Sequence, residues 1–248
     1  MSATFTDIEE SKNGVGTKGD QTTWTAARNA TSGSAISYTS LNNRSSAIAT
    51  DRQSEKGTVY FGVRRTFFFF DLSSIPSGNT ITGIELKVKG YGGGTAGNGD
   101  VRVAKSTAFG TNGSSFFATT DFDNWSPSSP TPYASNVSSW SYVSRNNITL
   151  NATAISDADT NRYLNLVLVD NEYDYPDTAP TSNFTNNNGI TFRSSTSSEK
   201  NIVTVEHSAP PTQQWEGTIN GQTIKVQYKI NGVDVGDIVE INGTDGLA

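Results

Sequence analysis

The chain has 248 residues and a formal net charge of −6, from 18 basic and 24 acidic side chains. It contains no cysteine, which excludes disulfides, thiolate metal sites and cysteine nucleophiles. Its basic residues are scattered, which argues against a nucleic-acid partner, and no stretch approaches the roughly 18 apolar residues of a membrane helix.

Strand signals dominate the chain from its N-terminal part onward. They are runs of β-branched and aromatic residues bounded by Gly, Pro and Asn. Two weak signals precede seven stronger ones, and the predicted segments are 21–30, 34–41, 58–72, 80–91, 100–106, 146–152, 162–170, 189–195 and 201–208. One short helical turn is predicted at 152–160. This pattern predicts an all-β fold, a jelly-roll-like antiparallel β-sandwich over residues 1–208.

The strand at 80–91 alternates clearly between apolar and charged residues. Ile84, Leu86 and Val88 occupy one set of positions, and Glu85, Lys87 and Lys89 occupy the other. Because successive side chains of a strand point to opposite faces, this strand is predicted to bury one face and to expose the other.

The strand at 58–72 breaks this rule, because it contains four consecutive phenylalanines. Phe67 and Phe69 lie on one face by parity, and Phe68 and Phe70 lie on the other. In a sandwich only one pair can face the core, so the second pair has to be covered by the 107–144 loop, the C-terminal ribbon or a neighbouring subunit. Phe68 and Phe70 are assigned here to assembly contacts.

A long polar loop at 107–144 contains four aromatic residues of interest. These residues are Trp125, Tyr133, Trp140 and Tyr142. The favoured interpretation is a loop pinned to the sheet by its own aromatics, because Trp is usually largely buried. The alternative is a glycan-binding surface on which flat rings stack against sugars.

The acidic stretch 170–177, DNEYDYPD, follows a predicted strand and contains four carboxylates. They are Asp170, Glu172, Asp174 and Asp177. The favoured interpretation is a solvated turn. The first alternative is a Ca²⁺ site, because carboxylate oxygens are the ligands that Ca²⁺ prefers, and glycosidic acid–base chemistry is the second. The segment 121–125, DFDNW, is a weaker candidate of the same kind.

His207 is the single histidine of the chain. It shares parity with Val203 and Val205, so it is predicted to point inward near a strand end as a hydrogen-bonded residue rather than a catalytic base. The glycine-rich segment 91–100 lacks the Gly-Lys-Ser/Thr ending of a phosphate-binding loop and is predicted to be an ordinary loop.

The C-terminal segment 209–248 contains an internal repeat. Ile-Asn-Gly occurs at 219–221, 230–232 and 241–243, and Asn-Gly is a strong hairpin signal. The segment is therefore predicted to be a small β-ribbon, whose apolar face would carry Ile224, Val226, Tyr228 and Ile230. A ribbon this short is not stable alone, so it is predicted to dock on the sandwich or to serve assembly.

The residues RRTFFFFDLSSIPSGNTITGIELKV, at 64–88, resemble β-sandwich domains of the DNRLRE type, which are related to carbohydrate-binding modules. The resemblance continues through 146–170 and the strand NIVTVEHS, and covers roughly residues 20–208. Such domains occur in secreted bacterial proteins and in structural proteins of tailed phages. The Ile-Asn-Gly tail is similar to the repeats that end many phage structural proteins.

The resemblance implies a non-enzymatic virion component with other virion proteins as partners. The start of the sequence lacks a secretory signal pattern, which fits a phage protein better than a secreted module. We expect a homo-oligomer located on the particle, as a head decoration, a head fibre or a tail part, without nucleic acid, membrane or resident cofactor. The alternative is a carbohydrate-binding module or adhesin that recognises host-surface glycan through the 107–144 loop.

Overall fold

The computed structural model describes residues 3–38, 45–90, 100–141, 143–193, 200–210, 214–219 and 222–227. It shows an antiparallel β-sandwich of two sheets, which confirms the predicted fold class. The strands of the sandwich are β1 (Thr4–Glu9), β2 (Lys12–Gln21), β3 (Ser34–Tyr38), β4 (Ser45–Glu55), β5 (Thr58–Asp71), β6 (Thr80–Lys89), β7 (Val101–Lys105), β8 (Arg145–Thr149), β9 (Tyr163–Asp170), β10 (Phe184–Arg193) and β11 (Ile202–Ser208). The α-helices are α1 (Trp24–Arg28) and α2 (Ala152–Asn161), and the long loop contains two 3₁₀ helices, at Thr111–Gly113 and Thr119–Asp123.

The smaller sheet has four strands in the order β1-β11-β6-β8. The larger sheet has seven strands, of which β10-β4-β5-β2-β3 form a continuous path. Strand β5 is long enough to pair with β4 through its first half and with β9 through its second half, while β2 runs along its other edge. Strand β7 extends this sheet beyond β9.

The main core lies between the two sheets. Phe68 and Phe70 of β5 point into it, and Ile84, Leu86 and Val88 of β6 meet them from the smaller sheet. The predicted alternation of β6 is therefore confirmed, because Glu85, Lys87 and Lys89 on its other face are only partly buried. The assignment of Phe68 and Phe70 to assembly contacts is wrong, because both side chains are fully buried inside this core.

A second core covers the outer face of the larger sheet. Phe67 and Phe69 of β5 point outward, and Phe109 and Phe117 from the long loop pack over them. The ring centroids of Phe67 and Phe117 are 4.9 Å apart. Of the three predicted ways to cover the second pair of phenylalanines, the structure uses the loop, so this part of the molecule has three layers.

Strand β2 provides the flat surface on which the loop lies. A Cβ atom on Gly14 would overlap the ring of Phe117, and a Cβ on Gly16 would lie 2.9 Å from the ring of Phe122. The loop continues along the edge of β7, where the amide of Tyr133 donates to the carbonyl of Val103 at 2.9 Å. The loop thus covers both a face and an edge of the larger sheet.

The helical turn predicted at 152–160 is a ten-residue helix, α2. Asn151 caps its N-terminus by accepting a hydrogen bond from the amide of Ala154 at 3.1 Å, which is a preferred role of Asn. Ala154 and Ala158 bury the inner face of α2 against the main core. The strand-like piece predicted at 21–30 is wrong, because this segment holds the end of β2 and the helix α1.

The C-terminal segment forms a sheet of its own. Strand β12 (Gln214–Ile219) pairs antiparallel with strand β13 (Gln222–Gln227), and the register sets Ile219 opposite Gln222. This register is that of a hairpin with two connecting residues, as the Asn-Gly signal predicts. Residues 220–221 and 228–248 lie outside the described residues, so the two later repeats and the predicted division of the chain at residue 208 stay predictions. None of the helices in the described ranges has the length and apolar character that a membrane crossing requires.

Candidate functional site

The acidic stretch 170–177 is built around a buried ion pair. Asp174 is fully buried and receives two hydrogen bonds from the guanidinium of Arg65, from Nε to Oδ2 and from Nη2 to Oδ1, each at 2.8 Å. This forked geometry matches the plane of the guanidinium to the plane of the carboxylate. Arg65 shares parity with Phe67 and Phe69, so it reaches the outer face of the larger sheet, below the loop.

A second buried arginine completes this arrangement, which we call the arginine cluster (Arg28, Arg65, Asp174 and Asp177). Arg28 Nε donates to the backbone carbonyl of Asp174 at 2.6 Å, and Nη1 lies 3.4 Å from Oδ2 of Asp177. Arg65 Nη2 in turn donates to the carbonyl of Arg28 at 2.6 Å. The cluster therefore joins α1, β5 and the acidic stretch.

The loop is tied to the same cluster. Arg65 Nη1 donates to the carbonyl of Phe122 at 3.0 Å, and Arg28 Nη2 donates to the carbonyl of Pro127 at 2.8 Å. The Arg65 guanidinium also lies 4.2 Å from the ring centroid of Phe122 and 4.9 Å from that of Trp125. These are cation–π distances, so the charges of the cluster fasten the loop as well as the acidic stretch.

Burial sets the protonation behaviour of this region. It lowers the pKa of Arg28 from its ordinary value, and the nearby carboxylate of Asp174 opposes this effect. Burial likewise raises the pKa of Asp123, against the attraction of Arg65 and Arg28. Both shifts have the sign expected when a charged group leaves water.

The structure does not bring the four carboxylates of the acidic stretch together. Asp170 is buried and accepts from the hydroxyl of Thr50 at 2.5 Å, whereas Asp177 is half exposed and accepts from Trp24 Nε1 at 2.9 Å. Glu172 is exposed. In the ranges that the structure describes, no group of three or more His, Asp or Glu side chains is arranged to hold a metal ion.

The interpretation of 170–177 as a solvated turn is only partly correct, and the calcium interpretation has no matching geometry. Asp170 and Asp174 are buried and used by the fold, so neither carboxylate is accessible to a glycosidic bond. The sequence carried a signal for this arrangement, since an arginine inside a run of aromatic strand residues has to find a buried carboxylate partner. That signal did not identify Asp174 as the partner.

The aromatic residues of the loop serve the two cores. Trp125 belongs to the outer core, and Tyr133 and Trp140 belong to the main core. All three are buried, so the prediction that they present a sugar-stacking surface is wrong, and the interpretation of a loop pinned by its own aromatics is confirmed. Tyr142 lies outside the described residues.

Tyr133 also anchors α2 through its hydroxyl group. The hydroxyl donates to Oδ2 of Asp157 at 2.7 Å, and Lys105 Nζ donates to the same oxygen at 2.8 Å. Burial raises the pKa of Tyr133, and the hydrogen bond to Asp157 adds to this effect. For Asp157 burial raises the pKa, but the hydrogen bonds from Lys105 and Tyr133 outweigh it, so the pKa is lowered overall.

His207 is buried near the end of β11 and hydrogen-bonds through both ring nitrogens. Nε2 lies 3.0 Å from Oγ1 of Thr6, and Nδ1 lies 2.9 Å from Nδ2 of Asn79. Since the amide nitrogen can only donate, Nδ1 is the acceptor and Nε2 carries the proton that Thr6 accepts. The predicted role of His207 as an inward hydrogen-bonded residue is confirmed.

Two exposed phenylalanines were missed by the sequence analysis. Phe5 on the edge strand β1 and Phe116 in the loop are each 66% exposed. Phe5 has no apolar residue in its neighbouring positions on β1, and Phe116 directly precedes the buried Phe117, so neither stands out as a surface aromatic in the sequence.

The predicted assembly residues of the tail lie partly within the described chain. Ile224 and Val226 occupy alternate positions of β13, and the register sets them opposite Gly217 and Trp215 of β12. Tyr228 and Ile230 lie outside the described residues. The register thus pairs two apolar residues, Trp215 and Val226, across the ribbon.

No protein-family model matches the chain, and no curated protein is similar to it in sequence.

Proposed function

We propose that the chain is a non-enzymatic structural protein of a bacteriophage particle, displayed on the particle surface and assembled through its C-terminal ribbon. The observation that carries this proposal is the β12–β13 hairpin, a two-stranded sheet separate from both sheets of the sandwich. A hairpin of this size is marginally stable in water by itself, and the sequence continues past it with two more Ile-Asn-Gly repeats. A ribbon of this kind is suited to strand pairing with other subunits.

The sandwich supports the same proposal through its chemistry. The acidic stretch and the aromatic loop were the two candidate sites, and each is used internally, by the arginine cluster and by the two cores. The enzymatic alternative, glycan cleavage by the 170–177 carboxylates, requires carboxylates that a glycan can reach. Asp170 and Asp174 are buried and do not meet this requirement.

The location of the protein tests this proposal. We expect mass spectrometry of purified phage particles to find the chain in a fixed ratio to the major capsid or tail protein, and antibody labelling to reach it on intact particles. A preparation of intact particles that lacks the protein would contradict the proposal. Gene neighbours that encode capsid or tail proteins would support it independently.

The alternative function, a carbohydrate-binding module or adhesin, no longer rests on the aromatic residues first proposed for it. Trp125, Tyr133 and Trp140 are buried, and a ring has to expose a face to stack on a sugar. Within the described part of the loop, Phe116 is the large aromatic residue that remains exposed.

A further inference from the structure

Strand β1 lies at one end of the smaller sheet and presents a free backbone edge. It pairs with β11 from Thr4, opposite His207, to Glu9, opposite Ile202. In a strand that is paired on one side only, the N–H and C=O groups of alternate residues point away from the partner. Among the described residues, no backbone hydrogen bond from a second strand or from a loop reaches this edge. Strand β1 can therefore accept one more strand.

The exposed face of β1 is acidic. Phe5, Asp7 and Glu9 share one parity and are exposed, whereas Ile8 belongs to the main core. Glu9 is paired with Lys200, but Asp7 has no ion pair in the part of the chain that the structure describes. Because β1 has acidic residues and no basic one, pairing with a second copy of β1 would bring like charges together, which is unfavourable. The edge favours a strand with a positive charge.

Strand β13 of the C-terminal ribbon has the complementary features. It pairs with β12 on one side only, and these two strands form a sheet separate from both sheets of the sandwich. Its sequence QTIKVQ alternates apolar and polar residues, with Lys225 between Ile224 and Val226. Among the other described strands at sheet ends, β3 is uncharged, β12 is acidic, and the arginines of β8 and β10 stand at the strand ends. The edge of β7 is covered by the long loop.

One antiparallel register of β13 with β1 satisfies both faces of the joined sheet. When Lys225 is set opposite Asp7, Ile224 is set opposite Ile8, because the two strands run in opposite directions. Ile8 is 8% exposed and lies at the end of the main core, so the apolar positions of β13 would continue this core past the last strand of the smaller sheet. Opposite-charge pairs and apolar pairs across strands both stabilise a sheet.

We propose that β13 of one copy of the chain pairs antiparallel with β1 of the next copy, so that the smaller sheet continues into the ribbon of a neighbouring subunit. A second copy is the partner because, within one chain, β13 pairs with β12 and not with β1. This inference rests on the proposed assembly through the ribbon and names the surface that receives it. Since each chain has one ribbon and one β1, the contact joins unlike surfaces and builds a ring or an open chain of subunits.

Charge reversal on the two strands tests this contact in the full-length protein, with the dissociation constant of self-association measured by sedimentation equilibrium. Asp7→Lys and Lys225→Asp should each raise the dissociation constant at least about tenfold, because like charges then face each other. The variant with both substitutions should return to within about threefold of wild type, since the pair is restored with its signs exchanged. Lys225→Ser should cost less than about fivefold and preserve assembly, because an exposed ion pair contributes little.

Glu55→Lys is the matched control for Asp7→Lys. It makes the same change of charge at an exposed position of β4, in the larger sheet, and should leave the dissociation constant unchanged. Unchanged near-ultraviolet circular dichroism shows that the sandwich of each variant remains folded.

A cysteine pair detects the contact directly, because the chain contains no cysteine of its own. Chains with Asp7→Cys are mixed with chains with Lys225→Cys and oxidised, and we expect a disulfide-linked dimer, since residues directly opposite in a sheet lie close enough to be bridged. Glu55→Cys in place of Asp7→Cys should give no such dimer. If a chain with both Asp7→Cys and Lys225→Cys closes only within itself, the ribbon folds back on its own β1 and the proposal is wrong.

The outcomes distinguish this inference from the proposed function. If Ile224→Asp disrupts association while Asp7→Lys does not, the ribbon assembles on another surface, so the contact with β1 is wrong and assembly through the ribbon stands. If neither substitution changes the association, both are wrong. A full chain that stays monomeric, or a double variant that does not recover, overturns the contact with β1, whereas the presence of the protein on purified particles decides the proposed function separately.

Discussion

At the scale of single residues, the arginine cluster shows how this fold buries full charges as hydrogen-bonded pairs. Arg65 and Asp174 are each fully buried, and such a pair contributes little net stability compared with an apolar replacement. Removing one partner of the pair destabilises the protein strongly, because the other charge is then left unpaired away from water. The cluster therefore has large consequences for substitution even if its net stabilisation is small.

Asp174→Asn should destabilise the protein by about 3–5 kcal/mol. The substitution removes the charge that faces Arg65 and leaves both buried arginines near a neutral amide. Urea denaturation followed by tryptophan fluorescence measures the free energy of unfolding. Asp177→Asn is the control, because Asp177 faces the same Arg28 with a side chain that is 51% exposed, and its loss should cost less than about 1 kcal/mol. Equal losses for the two variants would show that burial of the pair is not decisive.

Asp157→Asn should reduce the dependence of stability on acid pH. The pKa of Asp157 is lowered in the folded state, so its ionised form stabilises the fold. This contribution is fully present above the pKa of about 3.9 in the unfolded chain, and it is lost as the pH falls through the lower folded pKa. Asp157→Asn should therefore be less stable than wild type by roughly 1 kcal/mol at pH 6, and the difference should shrink below about pH 4.

Thermal unfolding of wild type and Asp157→Asn between pH 2.5 and pH 7 checks this expectation. Glu55→Gln is a suitable control, since it removes one negative charge at an exposed position. A difference between wild type and Asp157→Asn that stays constant across this range would mean that the carboxylate charge of Asp157 contributes nothing, and that the change acts through packing alone.

At the scale of elements, strand β2 shows how a strand with little apolar character can be central to a fold. Its sequence KNGVGTKGDQ has three glycines, and two of them, Gly14 and Gly16, lie where an ordinary strand would carry side chains on its outer face. The missing side-chain volume is filled by Phe117 and Phe122, which come from the loop about a hundred residues later in the chain. The loop and β2 are thus two halves of one packed layer.

Gly14→Ala should loosen the loop. The new Cβ overlaps the Phe117 ring, and overpacking of this kind typically costs about 1–3 kcal/mol. Hydrogen exchange should show faster exchange over residues 107–125 than in wild type, together with a lower free energy of unfolding. Gly19→Ala on the same strand is the matched control, because a Cβ there meets nothing within 4 Å, and it should stay within about 0.5 kcal/mol of wild type. If both variants exchange alike, the loop does not depend on close approach to Gly14.

A comparison of β2 with the other strands shows which parts of the fold could be predicted from the sequence. The alternation of β6 and the aromatic run of β5 have their own local pattern, so both strands and the buried face of β6 were predicted correctly. Strand β2 was not predicted, because its sequence is rich in glycine and lysine. The apolar side chains that pack against it come from the loop. Strands β1 and β4 are rich in Thr, Ser and charged residues, and their pairing partners, rather than their own propensity, make them strands.

The candidate sites follow the same logic. A cluster of acidic residues or of aromatics is visible in the sequence, but whether it faces solvent depends on residues that are distant along the chain. Asp174 is buried as the partner of Arg65, which lies more than a hundred positions earlier in the chain. Trp125 is buried because β5 presents an apolar outer face on which it packs. Phe116 is exposed although it stands next to Phe117, a difference that only the path of the loop backbone decides.

At the scale of the whole molecule, the described part of the sandwich buries both pairs of phenylalanines of β5, and the C-terminal ribbon forms a sheet separate from the two sheets of the sandwich. The long loop covers the outer face of the larger sheet and the edge strand β7, which are the surfaces that would otherwise invite association. Because the phenylalanines of β5 are buried, the ribbon is the segment through which we propose that subunits assemble.

A chain that ends at residue 210 should fold normally and fail to assemble. The deletion removes the β12–β13 hairpin and the remaining repeats and keeps every core residue that the structure describes, so we expect the thermal unfolding temperature of the sandwich to change by only a few degrees. Light scattering coupled to size exclusion should show an oligomer for the full chain and a monomer for the shortened one.

A substitution pair in the full chain refines the test. Ile224→Asp places a charge among the apolar positions of the ribbon and should disrupt assembly. Lys225→Ser changes one of the polar residues that alternate with them and should leave assembly intact. If the shortened chain still assembles, the ribbon is not the anchor and the subunit contacts have to lie on the sandwich itself.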